Sequence, residues 1–348
     1  MKNISQKKWN EILGPNYPYM SYEYLSASES LNPESYKFLN TETVAYFTIQ
    51  KTELDLFIPK KNIISRIISK IRNHFPNFLI VRILECGPPS TCGLGVIGPL
   101  NYDFFDYIKH LIKKTKCKFI VLRDFEKNHP AAAELLWRHG YKYIPNLPTA
   151  ILHVRWHSFD EYLAALRSGY RTQIEKDIRK LQKAGIKIIT TKDFADVATE
   201  MANLWNETNS RAKEYNREKL DSDYFKNLSG FATAILFKDQ DNLVGFSLCL
   251  STRQTLYPIW MGVDYTYHGK VPLVFNIYYE AIRLAINERK ITLDLGETTY
   301  ELKLRLGAEI VPLNMFYRST IPFLTSIITI IAHLTTPKHK LPSKKVFK

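Results

Sequence analysis

The sequence predicts an α/β protein with mixed sheets, organised as two tandem units, and the order of its elements is the first reason. Residues 44–150 alternate between strand and helix, and the second half reads helix, helix, strand hairpin, strand, helix, strand, helix, strand. Composition is the second reason, because 45% hydrophobic and 24% charged residues in a chain of 348 are typical of globular proteins. We expect one unit over residues 1–150, a second over 151–320, and an apolar segment with a basic tail over 321–348.

The first half contains strands and helices in alternation. Strands are predicted over 44–49, 77–85 and 118–124, and helices over 60–75, 103–114 and 130–139. Gly140 ends the last of these helices, and two short strand-like runs broken by Pro145 and Pro148 follow it. This order predicts an α/β unit that closes near residue 150.

The loop after the second strand contains glycines in G-x-G-x-x-G spacing, at Gly93, Gly95 and Gly98. A dinucleotide site needs a strand that leads directly into a helix, whose N-terminus then meets the pyrophosphate. Prolines stand on both sides of these glycines, so the spacing predicts a turn here. Arg123 and Asp124 end the next strand. We favour a buried ion pair as their role over a functional one.

A basic helix is predicted to begin at Ser158, which forms a capping box with Glu161 and starts an apolar stripe that reaches Leu181. Its polar side carries Arg167, Arg171, Lys176, Arg179, Lys180 and Lys183. Two interpretations remain open. This side either binds phosphates or is the solvated face of a helix that packs on the core.

Residues 255–318 contain the predicted functional site. A buried strand over 255–263 is followed by Pro272, which suits the first turn of a helix, and by apolar residues at helical spacing as far as Ala285. A short strand over 291–295 then ends in Gly296, Glu297, Thr298, Thr299 and Tyr300. Ligands of α/β sheets usually bind at the carboxyl ends of strands, so we expect the site there.

The run DLGETTYELKLRLGAEIVP resembles the carboxy-terminal signature of the FemAB-like acyltransferases of the GNAT superfamily. Its Lys303, Arg305, Gly307 and Ala308 match the Tyr/Lys–x–Arg–x–Gly run of that signature. Residues 158–185 are similar to the linking helix of that family, and residues 123–156 resemble the segment before it. The resemblance implies a GNAT-like domain in the second half and a degenerate one in the first.

The resemblance also implies acyl transfer from a thioester donor, acyl-coenzyme A or an acyl carrier protein. In such folds two parallel strands separate, the acyl carbonyl meets backbone N–H groups of the first strand, and the pyrophosphate lies at the following helix N-terminus. The residues that match this donor site are Val263, Tyr267, His268, Gly269 and Lys270. The turn has one glycine where the family's usual motif has two, which weakens its backbone cradle for coenzyme A.

Glu297 is our candidate general base, with Asp264 and Asp294 as second choices, and Tyr300 is the candidate acid for the leaving thiolate. Asp294 lies in an apolar strand, so it needs a partner such as Lys303 or Arg305. Candidate acceptor-binding residues are Trp260, Asn276, Lys303 and Arg305. His268 is more typical of a structural histidine. No nucleophile constellation or metal-ligand spacing is apparent, which favours direct transfer without a metal.

Charge and cysteine content constrain the partners. The net charge of +14 favours an anionic partner, and four irregularly spaced cysteines favour reduced thiols in a cytoplasmic protein. The first 14 residues contain no apolar run, so we expect neither a signal peptide nor a membrane span there. The run 321–334 is too short to span a bilayer, yet with the lysines after it this segment suits either peripheral contact with the inner face of a membrane or packing on the domain.

Three functions follow from these observations. The first is an N-acyltransferase that acts on the amine of a small molecule or a cell-envelope precursor. The second is an aminoacyl-tRNA-dependent transferase acting on a peptidoglycan precursor, favoured by the basic helix and the net charge. The third is a catalytically inactive module that binds anionic membrane or nucleic acid.

Overall fold

The computed structural model describes residues 4–32, 34–53, 63–89, 91–126, 130–211, 219–321, 323–335 and 344–348. The chain forms two compact units, each built from separate segments. The first unit comprises residues 1–13, 32–147 and 312–340, and the second comprises 14–31, 148–311 and 341–348. Each unit contains one seven-stranded mixed sheet, so the predicted class of two tandem α/β units is confirmed.

The sheet of the first unit has the order β1-β2-β3-β5-β14-β6, with β4 paired to β2. Its strands are β1 Ser35–Leu39, β2 Val44–Glu53, β3 Ile80–Cys86, β4 Val96–Ile97, β5 Phe119–Glu126, β6 Lys142–Pro145 and β14 Leu313–Ser319. Its helices are α1 Gln6–Leu13, α3 Ile63–His74, α4 Tyr102–Thr115, α5 Pro130–Arg138 and α12 Leu324–Thr335. β3 and β5 run parallel, and residues of α4 and α5 pack with them in an apolar core.

The sheet of the second unit has the order β13-β7-β12-β11-β10-β9-β8. Its strands are β7 Thr149–His153, β8 Lys187–Thr191, β9 Thr233–Asp239, β10 Asn242–Ser251, β11 Thr255–Val263, β12 Thr292–Asp294 and β13 Glu309–Val311. Its helices are α2 Tyr22–Glu29, α6 Phe159–Ala165, α7 Ser168–Lys183, α8 Ala198–Ser210, α9 Ser222–Leu228, α10 Leu273–Asn287 and α11 Tyr300–Arg305. α10 presents Leu273, Ile277, Ala281 and Ala285 to the core, as its spacing predicted.

The last strand predicted for the second unit is in fact divided between the two sheets. β13 pairs with β7 in the second unit, whereas β14 lies between β5 and β6 in the first. Pro312 stands between them, and it has no N–H to contribute to a continuous ladder. Residues 14–31 also depart from the predicted boundaries, because Tyr19 and Tyr24 pack edge-on against Tyr257 and Tyr224 of the second unit.

The predicted basic helix is two helices, α6 and α7, separated at Leu166 and Arg167. Ser158 caps α6 as predicted, accepting the backbone N–H of Glu161 at 3.1 Å. The break occurs because Leu166 instead forms an isolated β-bridge with Phe347. Residues 344–348 are thus fixed in the second unit, and Lys344 bonds Glu301. Lys338 and Lys340 of the predicted basic tail lie outside the described residues.

Five elements were not predicted from the sequence, namely α1, α2, β1, β8 and α9. The glycine-rich loop is a loop as predicted, and its described residues include the short strand β4. Among the described residues, no helix has the length and apolar character needed to cross a bilayer.

Candidate functional site

Two parallel strands of the second sheet separate soon after they meet. β11 and β12 pair only at Thr255 with Thr292 and at Leu256 with Leu293. β12 then pairs with β7, while β11 continues to Val263 along β10. The β10–β11 ladder shifts register between Leu248 and Cys249, which inserts an extra residue into β11 at Ile259. The separation of the strands matches what the family resemblance implies for an acyl site.

A strained turn follows β12 at its carboxyl end. Gly296, Thr298 and Thr299 all have positive φ, at 71°, 63° and 44°. A β-branched residue in this region costs about 1–3 kcal/mol, and such strain is concentrated at functional sites. Thr299 is also the N-cap of α11 and gives it no side-chain cap. Glu297, the candidate base, is half-buried at the centre of this turn.

Lys303 holds the turn in place from within. Its side chain is almost completely buried, with 1% of the residue exposed. Its Nζ donates to the carbonyl oxygens of Gly296 at 3.0 Å and Glu297 at 2.5 Å. A buried ammonium is costly unless it is hydrogen-bonded, so these bonds fix the backbone on both sides of the candidate base.

Asp294 binds the other side of the turn. Its Oδ1 accepts the hydroxyl of Thr149 at 2.5 Å and the N–H of Gly296 at 2.9 Å. Tyr300 donates its hydroxyl to the carbonyl oxygen of Pro148 at 2.8 Å. The structure therefore brings Asp294, Glu297, Tyr300 and Lys303 together, and their catalytic or binding roles stay predictions.

The predicted donor site lies at the turn between β11 and α10. Asp264 caps a short 3-10 helix by accepting the N–H of Thr266 at 2.8 Å, which gives this carboxylate a structural task. His268, Gly269 and Lys270 are exposed, and the first turn of α10 contains no acidic residue. An exposed turn that leads into a helix without acidic residues in its first turn is compatible with a phosphate group.

Two residues at this turn have other fixed partners. Tyr267 donates to Oδ2 of Asp239 at 2.5 Å, and this hydrogen bond, with some desolvation, raises the pKa of Tyr267 to about 12. The backbone N–H of Val263 donates to Thr208 Oγ1 at 3.2 Å. The exposed candidates for phosphate contact are therefore His268, Gly269 and Lys270.

Tyr278 connects α10 to the strained turn, and it was not predicted as a site residue from the sequence. It lies in the second turn of α10, and its hydroxyl is 3.4 Å from Thr299 Oγ1. Burial raises the pKa of Tyr278, and the contact with Thr299 opposes that shift. No signal in the sequence separates Tyr278 from the other aromatic residues of this helix.

Three predicted acceptor-binding residues have partners outside the turn. Asn276 is buried between α10 and α7, where it donates to the carbonyl oxygens of Pro272 and Asp177. Trp260 Nε1 donates to the Tyr224 hydroxyl at 2.9 Å. Arg305 pairs with Glu301 on an exposed side of α11, because residues two apart on a helix face different ways.

Side chains of β3 and β5 themselves occupy the ends of this parallel strand pair in the first unit. Arg123 Nε lies 3.0 Å from Glu85 Oε1, and its Nη1 lies 3.2 Å from Asp124 Oδ2. Arg123 also donates to the carbonyl oxygens of Pro88 and Thr91 in the glycine-rich loop. The buried ion pair predicted at Arg123 and Asp124 is present.

Comparison with known proteins identifies the family. Residues 112–336 match the FemAB-like family model, which is described as peptidoglycan biosynthesis/recognition. The chain belongs to the FemAB-like family. The predicted resemblance and the acyltransferase class are confirmed.

A curated relative from Mycobacterium tuberculosis, named "Putative 8-amino-7-oxononanoate synthase 2", is 26% identical over 282 residues. The match covers 74% of this chain and 36% of that protein, so the chain spans about a third of its relative's length.

Two solved structures share the fold. FemX superposes with a TM-score of 0.58 at 12% identity, covering 94% of this chain and 99% of that one. The C-terminal domain of a "Putative Lysylphosphatidylglycerol Synthetase" from Agrobacterium fabrum gives 0.55 at 9% identity, covering 94% and 95%. Within the described residues, no group of His, Cys, Asp and Glu side chains is arranged to hold a metal ion.

Proposed function

We propose that this FemAB-like acyltransferase moves an acyl group from a thioester donor, acyl-coenzyme A or an acyl carrier protein, to an amine of a cell-envelope precursor. The observation that carries the proposal is the strained turn at 296–299, held by Lys303 where β11 and β12 separate. Strain maintained by a buried cation indicates a backbone that is fixed for chemistry. The description of the family, peptidoglycan biosynthesis/recognition, and the name of the lysylphosphatidylglycerol synthetase support an acceptor from the envelope.

Transfer is direct in this proposal. The amine nitrogen attacks the thioester carbonyl carbon, and its proton passes to Glu297. The new C–N bond replaces the C–S bond as the tetrahedral intermediate collapses, and Tyr300 protonates the departing thiolate. Tyr300 shares its proton with the Pro148 carbonyl oxygen, so this role requires it to exchange that bond for one to sulphur.

The candidate place for the donor's phosphates is the exposed turn at His268, Gly269 and Lys270, just before the N-terminal end of α10. Free N–H groups at a helix N-terminus and a nearby ammonium attract anions. Gly269 has φ 77° and open space around it, so the backbone there is accessible. Lys270 and His268 would therefore contact the phosphates, and the acyl chain would enter between β11 and β12.

A thermal-shift screen tests the donor. Acyl-coenzyme A should raise the unfolding midpoint more than free coenzyme A does, because only the thioester reaches the separated strands. Acyl carrier protein and bulk transfer RNA belong in the same screen. If none of these donors shifts the midpoint, a thioester donor is not supported.

Two substitutions test the site once a donor binds. Glu297→Gln should abolish turnover while the donor-induced shift is retained, and Tyr300→Phe should slow release of the thiol. The matched control is Glu301→Gln, a glutamate on the exposed side of α11 that should leave turnover unchanged. Full activity of both Glu297→Gln and Tyr300→Phe would show that the site lies elsewhere.

A second candidate function is transfer from aminoacyl-tRNA. The basic side chains along α7 favour it, since Arg179, Lys180 and Lys183 are on a helix of high positive charge. Under this alternative the screen gives a shift with charged transfer RNA and none with acyl-coenzyme A. Binding of transfer RNA that weakens steeply with salt would favour this alternative, and binding much tighter than that of unrelated RNA at the same salt concentration would separate it from the general attraction of a basic chain.

A further inference from the structure

α12 lies against the sheet of the first unit with one fixed side. The Tyr317 hydroxyl donates to the carbonyl oxygen of Thr325 at 2.6 Å and is 2.5 Å from Thr329 Oγ1. Thr325 Oγ1 accepts the N–H of Ser319 at 2.9 Å, and Ile328 packs on Ile144 and Tyr317. These contacts set the rotation of the helix about its own axis.

The opposite side of α12 is an exposed apolar ridge. Phe323, Ile327 and Ile330 are 83%, 51% and 61% exposed, and Ile321 before the helix is 43% exposed. Ile327 and Ile330 have the i, i+3 spacing of one helix face, and Phe323 directly precedes the helix. The sequence of α12, LTSIITIIAHLT, contains no acidic and no lysine or arginine side chain. The ridge is therefore continuous and uncharged.

Two lysines border this ridge within the first unit. The carbonyl oxygen of Lys118, an exposed residue, accepts the N–H of Thr320 at 2.9 Å, which places Lys118 beside the start of the ridge. In β6, on which α12 packs, Lys142 lies opposite Tyr317, whose hydroxyl bonds α12, so Lys142 is on the same face of the sheet as the helix. Apolar side chains flanked by lysines are typical of surfaces at the membrane interface.

The dimensions of the ridge favour a lipid surface over a second copy of the chain. A helix of 12 residues is about 18 Å long, so one face of it covers only about 200 Å². A stable protein interface buries about 1,200–2,000 Å² in total, which the ridge does not approach. A bilayer requires no matching partner surface, and each lysine near an anionic leaflet adds about 1 kcal/mol of attraction.

We propose that the ridge formed by Ile321, Phe323, Ile327 and Ile330 lies in the surface of an anionic membrane, parallel to its plane. The apolar side chains would enter the boundary between headgroups and acyl chains, while Lys118 and Lys142 contact anionic headgroups. This inference does not rest on the donor or the acceptor proposed above. It assigns to α12 a function that the acyl-transfer site does not use.

Vesicle sedimentation tests the proposal with the full chain. The native protein should sediment with vesicles that contain phosphatidylglycerol, and much less with vesicles of phosphatidylcholine alone. The double variant Ile327→Asn/Ile330→Asn should bind the anionic vesicles at least about tenfold more weakly, because two apolar side chains no longer enter the bilayer. Its thermal midpoint should stay close to the native value, since both side chains are exposed.

The matched control is Ile291→Asn, because Ile291 is an isoleucine of the second unit that is 55% exposed and outside the ridge. This variant should bind vesicles as the native protein does. If the double variant does not fold, Phe323→Ser gives the same comparison at the most exposed position of the ridge. The proposal fails if native protein ignores anionic vesicles, if the ridge variants bind normally, or if the ridge instead holds a dimer that these variants dissociate.

Discussion

Each unit has a parallel strand pair inside its sheet, and the two pairs differ in whether the strands stay together. In the first unit β3 and β5 remain paired from Ile83 to Cys86, and the groups beyond their ends are buried. In the second unit β11 and β12 part after Leu256. In each pair one helix, α4 or α10, lies between the two strands in the sequence.

The filling of the first pair is specific. Asp124 has φ 67° and accepts the N–H of Gly93 at 2.8 Å and Asn146 Nδ2 at 2.6 Å. Burial raises the pKa of Asp124, while the guanidinium of Arg123 opposes that shift. These bonds tie the glycine-rich loop down over the strand ends. The same framework thus supports a closed edge in the first unit, where Arg123 and Asp124 occupy the ends of the paired strands, and an open edge in the second unit, where the strands part.

The largest effect is expected from Lys303→Met, which removes the cation that fixes the open edge. The half-buried carbonyl group of Glu297 would lose the ammonium, and that of Gly296 would keep only the N–H of Ala150, so the free energy of unfolding should fall by about 3 kcal/mol. Turnover should be lost as well, because the backbone around Glu297 would relax from its strained form. Urea unfolding gives the first quantity, and the transfer assay gives the second.

Lys303→Arg keeps the positive charge and tests whether charge alone is sufficient. Because a guanidinium is larger and should not fit the same buried place, we expect this variant to lose stability as well. Native stability in Lys303→Met would show that the ammonium does not hold the turn.

Gly95→Ala and Gly269→Ala compare the two edges directly. An added Cβ at Gly95 would lie 2.2 Å from the backbone nitrogen of Gly87, so the loop over the first edge would have to move. We expect a loss of about 2–3 kcal/mol in the free energy of unfolding from this overpacking. A Cβ at Gly269 meets nothing within 4 Å, and only its φ of 77° opposes alanine, at about 1 kcal/mol.

The same urea experiment measures both glycine variants. Gly95→Ala should leave the donor-induced thermal shift intact, whereas Gly269→Ala should reduce it while costing less stability. Equal losses of stability in the two variants would contradict the view that only the first edge is closed by packing.

The smallest effect concerns Tyr267 and appears only in alkali. Its hydrogen bond to Asp239 raises its pKa to about 12, above the value of about 10 for an unfolded tyrosine. The neutral hydroxyl therefore stabilises the folded state below pH 10, and this contribution is lost as the pH rises from about 10 to about 12. The stability of Tyr267→Phe, relative to the native protein, should improve across that window.

Thermal midpoints of the two proteins measured from pH 9 to pH 12 check this difference. A constant difference across the range would mean that the bond to Asp239 does not stabilise the turn.

Periodic segments of the second unit were predictable from the sequence. β11, α10 and the polar turn after β12 were predicted at nearly their observed positions, because their burial follows strict periods. The family assignment also followed from Lys303 and its neighbours. Local pattern is sufficient where one element buries one face.

Long-range pairing was not predictable in this way. The path of β14 into the first sheet depends on partners in β5 and β6 that are far away in sequence. Lys303 and Asn276 were expected at a ligand site, and both are buried in fixed hydrogen bonds. Nothing in a single sequence distinguishes a lysine that binds substrate from one that binds its own backbone.

The closed loop of the first unit also carries a natural chemical handle. None of the four cysteines is in a disulfide, and three of them, Cys86, Cys117 and Cys249, are buried. Burial raises the pKa of these three thiols and slows their reaction. Cys92 is half-exposed in the loop that Asp124 ties down through Gly93. A maleimide dye should therefore attach at Cys92 in the native chain, and its fluorescence would follow the loop without any engineered residue.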